Sequence, residues 1–188
     1  MSKPLEPWEQ CSDVWKTKAA FFNWMRGQMR RAWVRHPVKV SYMNLHRFKA
    51  PLGKKTFKAP KGQMIWATTC ETCHKVHKVG NTEVDHVHRA GSFQGWDDFE
   101  KWMHSLMHIN HDSIEIICKP CHRIKSYAEQ HDLSFEDAKL AKKVIAFMKQ
   151  KASAQLRCLH SYGFDMSKLT NAAKRKAAYT EYLRGINK

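Results

Sequence analysis

The sequence lacks any long apolar stretch, and acidic residues are scarce in it. No segment approaches the roughly 18 consecutive apolar residues that a membrane-spanning helix needs, and the first ten residues contain no apolar stretch of a secretory signal. The chain has 17 Asp and Glu against 33 Lys and Arg, a formal net charge of +16. This excess indicates a polyanionic partner, either a nucleic acid or an anionic membrane face. We expect an intracellular, cytoplasmic protein, in which cysteines serve as metal ligands more often than as disulfides.

Charge and ligand residues are distributed unevenly along the 188 residues. Residues 1–63 carry 14 basic and 3 acidic side chains, a net charge of +11. Residues 64–131 carry 7 basic and 9 acidic side chains, and they hold nine of the twelve histidines and four of the six cysteines. Residues 132–188 carry 12 basic and 5 acidic side chains. We therefore expect three regions: a basic helical nucleic-acid-binding region, a central region with the ligand chemistry, and a basic helical extension.

Hydrophobic spacing predicts helices in the first region. From Trp8 to Trp33, aromatic and aliphatic residues recur at three- and four-residue steps, which is typical of an amphipathic helix whose aromatic side enters a core. Pro37 breaks this pattern, and a shorter helix is expected at about 38–48. The segment Lys49–Gly62 has two prolines, two glycines and five lysines, so we expect a linker or exposed arm suited to phosphate contacts.

The last region is also predicted to be helical. Ser134–Asp137 has the pattern of a capping box, and apolar residues follow it at helical spacing. Gly163 is the expected stop of this helix. A final basic helix is expected at about 168–184.

Two Cys-x-x-Cys pairs, Cys70–Cys73 and Cys118–Cys121, are separated by 44 residues. Four thiolates from two such turns form the tetrahedral sulfur site that zinc prefers. The interval exceeds the roughly 15–20 residues that are usual between such pairs, so a folded segment is expected between them. The sequence therefore predicts a structural Zn²⁺ site.

Two alternatives to zinc are weaker. His74 and His122 follow the two pairs directly, so each pair matches the Cys-x-x-Cys-His motif for attachment of c-type haem. Haem attachment and disulfides both belong to compartments outside the cytoplasm. Cys11 and Cys158 are expected to be free thiols, and His74 and His77 to be exposed.

The segment between the cysteine pairs carries a candidate active site. Glu83–Phe93 is followed by an expected helix over Trp96–Met107 and by an expected apolar strand, Ile114–Ile117, that runs into Cys118. After Cys121, the residues from His122 onward predict the start of a helix.

These residues resemble the HNH endonucleases, whose ββα-metal core has a strand ending in Asp-His, a second strand ending in Cys, and Cys-His-x-x-Lys opening a helix. The matching residues are Asp85-His86, Ile117-Cys118 and Cys121–Lys125. The runs Gly91–Phe93, Trp96–Phe99 and Ser134–Ala138 are similar to HNH homing-type endonucleases of tailed bacteriophages. The resemblance implies an α+β, mainly α fold, with a zinc-stapled ββα-metal core at 64–131 flanked by N- and C-terminal helices.

The resemblance also implies catalytic roles. His86 would be the general base, a role that typically contributes about 10²–10⁴-fold in rate. Asp85 and His122 would hold one divalent cation, Mg²⁺ or another, as a catalytic cofactor. The family's middle asparagine is replaced by Ser113, so Ser113, or Asn110 or Asp112 through a shifted loop, would brace the histidine.

The implied activity is metal-dependent hydrolysis of DNA to 5′-phosphate and 3′-hydroxyl ends, by a phage homing-type or genome-processing nuclease in the cytoplasm of an infected bacterium. The alternative is a non-catalytic, zinc-stabilised nucleic-acid-binding phage protein. RNA as substrate, a monomer or homodimer, and a phage or host protein partner all remain open. The residues expected to contact nucleic acid are Lys54, Lys55, Lys58, Lys61, Arg89, Lys125, Lys174, Arg175 and Lys176.

Overall fold

A computed structural model describes residues 4–51, 53 and 60–186. The protein is mainly helical, with 57% of the described residues in helices and 13% in strands, which confirms the α+β, mainly α class. Within the described ranges, no helix combines the length and the apolar character that a membrane crossing requires. The chain divides after Lys119 into two compact units, which are described separately below.

The first unit begins with three helices, α1 (Pro7–Gln10), α2 (Lys18–Val34) and α3 (Pro37–His46). The prediction of one continuous helix from Trp8 to Trp33 is wrong, because the chain leaves the helix after Gln10. It re-enters at Thr17, whose hydroxyl oxygen accepts a hydrogen bond from the Ala20 amide at 3.1 Å and so caps α2. Pro37 occupies the start of α3, where a proline needs no amide hydrogen.

Aromatic side chains from α1 and α2 form the main core of this unit, as their spacing predicted. Phe21 and Phe22 are buried, and the Phe22 ring lies 5.5 Å from Trp8 and 5.4 Å from Phe93. Phe93 in turn lies 4.6 Å from Trp102 of α4 (Phe99–Met107). Aromatic pairs at such distances add to the hydrophobic gain of burial. The core thus joins the N-terminal helices to the segment between the cysteine pairs.

A three-stranded antiparallel sheet follows α3, in the order β1 (Phe48–Pro51), β2 (Met64–Thr69) and β3 (Val76–Lys78). The prediction that all of Lys49–Gly62 is a linker or arm is therefore wrong at its start. Lys49 lies opposite Trp66, and Pro51 lies opposite Met64. Pro51 is tolerated because β1 is an edge strand, where one amide hydrogen is not needed for pairing.

A second sheet contains the candidate active-site segment. β4 (Thr82–His86) pairs antiparallel with β5 (Ile114–Cys118), and α4 lies between them in sequence. Helix α5 (Lys119–His131) begins directly after β5. The expected strand running into Cys118 and the expected helix before it are both confirmed, although α4 begins at Phe99 rather than Trp96.

The second unit continues α5 and adds α6 (Phe135–Met148), α7 (Ala152–Ser161) and α8 (Ala172–Ile186). The Ser134 hydroxyl accepts a hydrogen bond from the Asp137 amide at 3.0 Å, which confirms the predicted cap. Gly163, with φ of +85°, follows the end of α7 in the left-handed conformation that favours glycine, so the predicted stop is also confirmed. The prediction of a single helix between Ser134 and Gly163 is wrong, because α6 ends at Met148 and α7 begins at Ala152.

The side chain of Gln155 explains this break. Gln155 is 3% exposed, and its amide nitrogen lies 3.4, 3.2 and 2.9 Å from the carbonyl oxygens of Phe147, Met148 and Gln150. Phe147 and Met148 lie in the last turn of α6, where carbonyls lack the amide partners of the helix interior, and Gln150 lies in the connection that follows. The Gln155 carbonyl oxygen also accepts from Nε of Arg175 at 2.8 Å, which connects α7 to α8.

Gln155→Leu is expected to lower the free energy of unfolding of the protein by about 2–3 kcal/mol, because buried carbonyls and the Arg175 guanidinium lose their partner. Urea denaturation followed by circular dichroism would measure the change. Gln150→Leu, at an exposed position in the same connection, is the matched control and should change stability by less than about 0.5 kcal/mol. Equal effects of the two substitutions would contradict the proposed role of Gln155.

Candidate metal centre and active site

The two cysteine pairs converge on one point. Cys70 and Cys73 lie in the turn between β2 and β3, Cys118 ends β5, and Cys121 lies in the first turn of α5. Their four Sγ atoms all lie within 4.8 Å of one another, and no other group of three or more potential ligands among the described residues does so. A tetrahedral zinc–thiolate site with bonds of about 2.3 Å places its sulfurs about 3.8 Å apart. The Cys73 and Cys118 sulfurs lie 4.0 Å apart, so the four cysteines fit a metal ion such as zinc.

The backbone around Cys70 is arranged for a thiolate. The Cys118 amide donates a hydrogen bond to Cys70 Sγ at 3.2 Å. Burial alone would raise the pKa of the Cys70 thiol, but hydrogen bonds from Cys118, Cys73 and Thr72 lower its pKa to about 7. His74 has φ of +55°, a left-handed conformation that histidine adopts more readily than most residues, and its amide closes the turn onto the Cys70 carbonyl at 2.8 Å.

His77 is a neighbour of the metal centre that sequence analysis missed. His74 is exposed as expected, but His77 is half-buried, with Nε2 3.7 Å from Cys73 Sγ. Its place on β3 opposite the buried Thr68 explains the burial. The burial of His77 could have been predicted if β3 had been recognised as a strand, since a strand residue opposite a buried residue shares its face.

Glu71, inside the first cysteine pair, connects the metal centre to the rest of the first unit. Its Oε1 accepts hydrogen bonds from the Tyr42 hydroxyl at 3.0 Å and from the Ile116 amide at 2.7 Å. The Glu71 amide donates to the Ile116 carbonyl at 2.8 Å. The first turn of the metal centre is therefore held against both α3 and β5. No local pattern in the sequence signals this contact.

Burial, followed by the hydrogen bond to the Glu71 carboxylate, raises the pKa of Tyr42 to about 12. Because this folded-state pKa exceeds the unfolded value of about 10, the stabilisation is complete below pH 10 and is lost as the pH rises toward 12. The stability advantage of the wild type over Tyr42→Phe should therefore shrink between pH 10 and 12. Urea unfolding of both proteins at pH 8, 10 and 11 would measure this, and an advantage that stays constant over the range would count against it.

His86 lies at the end of β4 in a fixed orientation. It is 8% exposed, and its ring stacks on Trp33 with a centroid distance of 4.0 Å and an interplanar angle of 23°. Its Nε2 lies 3.0 Å from the Leu106 carbonyl oxygen at the end of α4. Because a carbonyl only accepts hydrogen bonds, Nε2 carries the proton and the neutral ring has its lone pair on Nδ1. The contacts thus define which nitrogen is basic.

Asp85 lies on the opposite face of β4 from His86. Burial alternates along the strand, so that Thr82, Val84 and His86 are buried whereas Glu83 and Asp85 are half-buried. Glu115 of β5 lies opposite Asp85. The strand ends at His86, as the resemblance implies, but the two side chains leave it on different faces.

Lys39 of α3 is a positively charged residue close to β4 that sequence analysis missed. Its ammonium nitrogen lies 4.7 Å from the centre of the Trp33 ring. Burial lowers the pKa of Lys39, and the neighbouring Glu83 and Asp85 carboxylates partly offset this shift. A carboxylate pair and a lysine therefore share the electrostatic environment beside β4.

Asn110 and Ser113 brace the loop before β5 together. Ser113 donates its amide to Asn110 Oδ1 at 3.0 Å, and the Asn110 amide donates to the Ser113 hydroxyl oxygen at 2.9 Å. The Ser113 carbonyl accepts a hydrogen bond at 2.9 Å from Val87, the residue after His86. The loop is thus closed on itself and attached next to His86, with Asn110 and Ser113 both taking part.

The remaining predicted site residues lie in different environments. His122 and Lys125 are half-buried in α5, and His122 directly follows the metal-centre residue Cys121. Arg175 is half-buried and donates to Gln155 and to the Leu169 carbonyl, so it contributes to packing within the second unit. The exposed residues are Lys61, Arg89, Lys174 and Lys176. The predicted contacts Lys54, Lys55 and Lys58 lie outside the described residues.

The candidate site therefore has two parts, a four-cysteine cluster able to hold a metal ion and an oriented imidazole at the end of β4. The first matches the ligand set predicted from the sequence. No family model, curated protein or solved structure matches this chain.

Proposed function

We propose that the protein is a metal-dependent HNH endonuclease that hydrolyses DNA, built on the succession β4, β5 and α5 as a zinc-stapled ββα-metal core. The observation that carries this proposal is the His86 imidazole, held by Trp33 and the Leu106 carbonyl with its basic nitrogen defined. A histidine held in one orientation at the end of a strand suits a general base, because a base must be positioned toward the proton that it takes. The resemblance of Asp85-His86 and Cys121-His122 to the family supports the same assignment.

The proposed reaction is hydrolysis of a phosphodiester bond, with His86 as the general base. His86 Nδ1 takes a proton from a water molecule as its oxygen bonds to phosphorus, and the bond from phosphorus to the 3′-oxygen breaks. The departing 3′-oxygen takes a proton from solvent, leaving 5′-phosphate and 3′-hydroxyl ends. The carboxylate of Asp85 and the imidazole of His122 are donor types that suit a divalent cation such as Mg²⁺ or Mn²⁺. When bound, that cation neutralises charge on the phosphate and on the leaving oxygen.

The charge distribution supports DNA as the substrate. Residues 1–63 and 132–188 carry net charges of +11 and +7, whereas 64–131 are slightly acidic at −2. Binding should therefore depend strongly on salt and should come mainly from the flanking regions. A phage homing or genome-processing role, in the cytoplasm of an infected bacterium, is the setting that the sequence resemblance supports.

A second candidate is a zinc-stabilised nucleic-acid-binding protein without catalysis. Two observations favour it: His86 is only 8% exposed, and Asp85 leaves β4 on the other face. Under this alternative, His86 is a core histidine that anchors the end of α4 to β4. The four-cysteine cluster and the net charge are the same under both functions.

A plasmid-nicking assay with zinc-loaded protein separates the two functions. We expect supercoiled DNA to become nicked with Mg²⁺ or Mn²⁺ and to remain intact with EDTA. DNA ligase should reseal the nicks, because it joins 5′-phosphate to 3′-hydroxyl ends. Salt-sensitive DNA binding without metal-dependent nicking would favour the non-catalytic alternative, and parallel assays on RNA would test the substrate class.

A further inference from the structure

We propose that Arg47, Lys49 and Trp66 form a binding surface for the phosphate backbone of DNA on one face of the three-stranded sheet. This inference rests on the proposed function and adds a substrate contact outside the β4–β5 segment. Lys49 belongs to the lysine-rich segment that the sequence predicted to suit phosphate contacts, whereas Arg47 and Trp66 were not predicted to bind nucleic acid. All three lie in the first unit.

The three side chains meet above the sheet. The Arg47 guanidinium carbon lies 4.4 Å, and the Lys49 ammonium nitrogen 4.3 Å, from the centre of the Trp66 ring. Lys49 and Trp66 are directly opposed on β1 and β2, so they share a face. Arg47, two residues before Lys49, falls on the same side. Trp66 is 43% exposed, so the group is open to solvent.

This arrangement is unusual for a purely structural contact, because one ring holds two positive charges that repel each other. Among the described residues, no carboxylate forms an ion pair with Arg47 or Lys49. The ring attracts each cation through its negative face, which restricts both side chains before any ligand binds. An anion bound beside both cations would reduce the repulsion, and the two restricted side chains would lose little conformational entropy on binding it. A phosphate group has the charge and the acceptor oxygens for this role.

The surroundings favour a nucleic-acid backbone as the occupant. Residues 1–63 have a net charge of +11, and Lys61 is exposed just before β2 on the same hairpin. Phosphate contacts of this kind add affinity without reading sequence, and they increase the dependence of binding on salt. An exposed tryptophan beside cations also suits an anionic membrane surface, so binding to phosphatidylserine vesicles is a competing outcome of the test.

The test measures binding of a 20-base-pair DNA duplex by fluorescence anisotropy from 50 to 300 mM salt. Arg47→Gln and Lys49→Gln should each weaken binding about five- to tenfold at 100 mM salt, and each should reduce the salt slope by about 1. Trp66→Leu should weaken binding less and leave the salt slope unchanged, because it removes the ring that restricts Arg47 and Lys49 but keeps both of their charges. Lys101→Gln, an exposed lysine in the acidic central region, is the control and should have little effect.

The outcomes distinguish this inference from the proposed function. The double variant Arg47→Gln, Lys49→Gln could show an unchanged salt slope together with intact zinc content and nicking. That result would overturn the proposed binding surface but not the proposed nuclease function. Loss of binding only to an RNA duplex, or only to phosphatidylserine vesicles, would overturn the assignment to DNA. Absence of DNA binding by the wild type at every salt concentration would instead overturn both proposals.

Discussion

Replacing Cys118 by serine is expected to abolish zinc binding and to destabilise the first unit severely. Cys118 is 2% exposed, ends β5, and donates its amide to Cys70 Sγ, so it belongs both to the sheet and to the metal centre. Structural zinc contributes apparent binding free energies of about 10–16 kcal/mol in small zinc domains. This is as large as the 5–15 kcal/mol that stabilises a typical folded protein. Zinc content should fall from one ion per chain to none, and the thermal unfolding midpoint should fall by about 10 °C or more.

Elemental analysis and thermal unfolding by circular dichroism would measure both effects. Cys11→Ser is the matched control, because Cys11 is exposed and lies outside the cluster. It should keep one zinc ion and an unchanged unfolding midpoint. A Cys118→Ser protein that retains a full zinc ion, or one that has lost zinc and melts like the wild type, would contradict the structural role of the metal.

The four-cysteine cluster was predictable because its signal is chemical and lies in two short motifs. Two Cys-x-x-Cys pairs specify a sulfur ligand set without any knowledge of the fold, and the structure brings all four sulfurs together. The Ser134 cap and the Gly163 stop were predictable for a similar reason, since each depends on the backbone within a few residues. Features that a few residue types at a fixed spacing specify can be inferred from the sequence alone.

The errors came from contacts that leave no mark on the local pattern of residue types. The pairing of Phe48–Pro51 with β2 depends on a partner strand beyond a lysine-rich segment, and that segment resembles a linker. The break after Met148 depends on the side chain of Gln155, whose hydrogen bonds to backbone carbonyls do not change hydrophobic periodicity. For the candidate base, the sequence motif indicated His86 alone. Its supports, Trp33 and the Leu106 carbonyl, come from elements far away in the chain.

Substituting His86 by glutamine is expected to slow metal-dependent nicking by about 10²–10⁴-fold, as typical for removal of a general base. Glutamine is polar and of similar length, and its amide can donate a hydrogen bond to the Leu106 carbonyl as His86 Nε2 does. It has no basic nitrogen to accept a proton from water. DNA affinity and zinc content should therefore stay within about twofold of the wild type, so that only the chemical step is lost. Single-turnover nicking rates at saturating protein would isolate that step.

His88→Gln provides the matched control, because His88 is exposed and lies two residues further along the chain. It removes an imidazole from the same segment without touching the contact to Leu106, and its nicking rate should stay within about threefold of the wild type. If both variants slowed equally, the effect would reflect the charge or folding of the segment rather than a base at His86. If His86→Gln nicked at the wild-type rate, His86 would be a packing residue of β4 and α4. The oriented imidazole would then support the non-catalytic function, because its two contacts would serve only to join those elements.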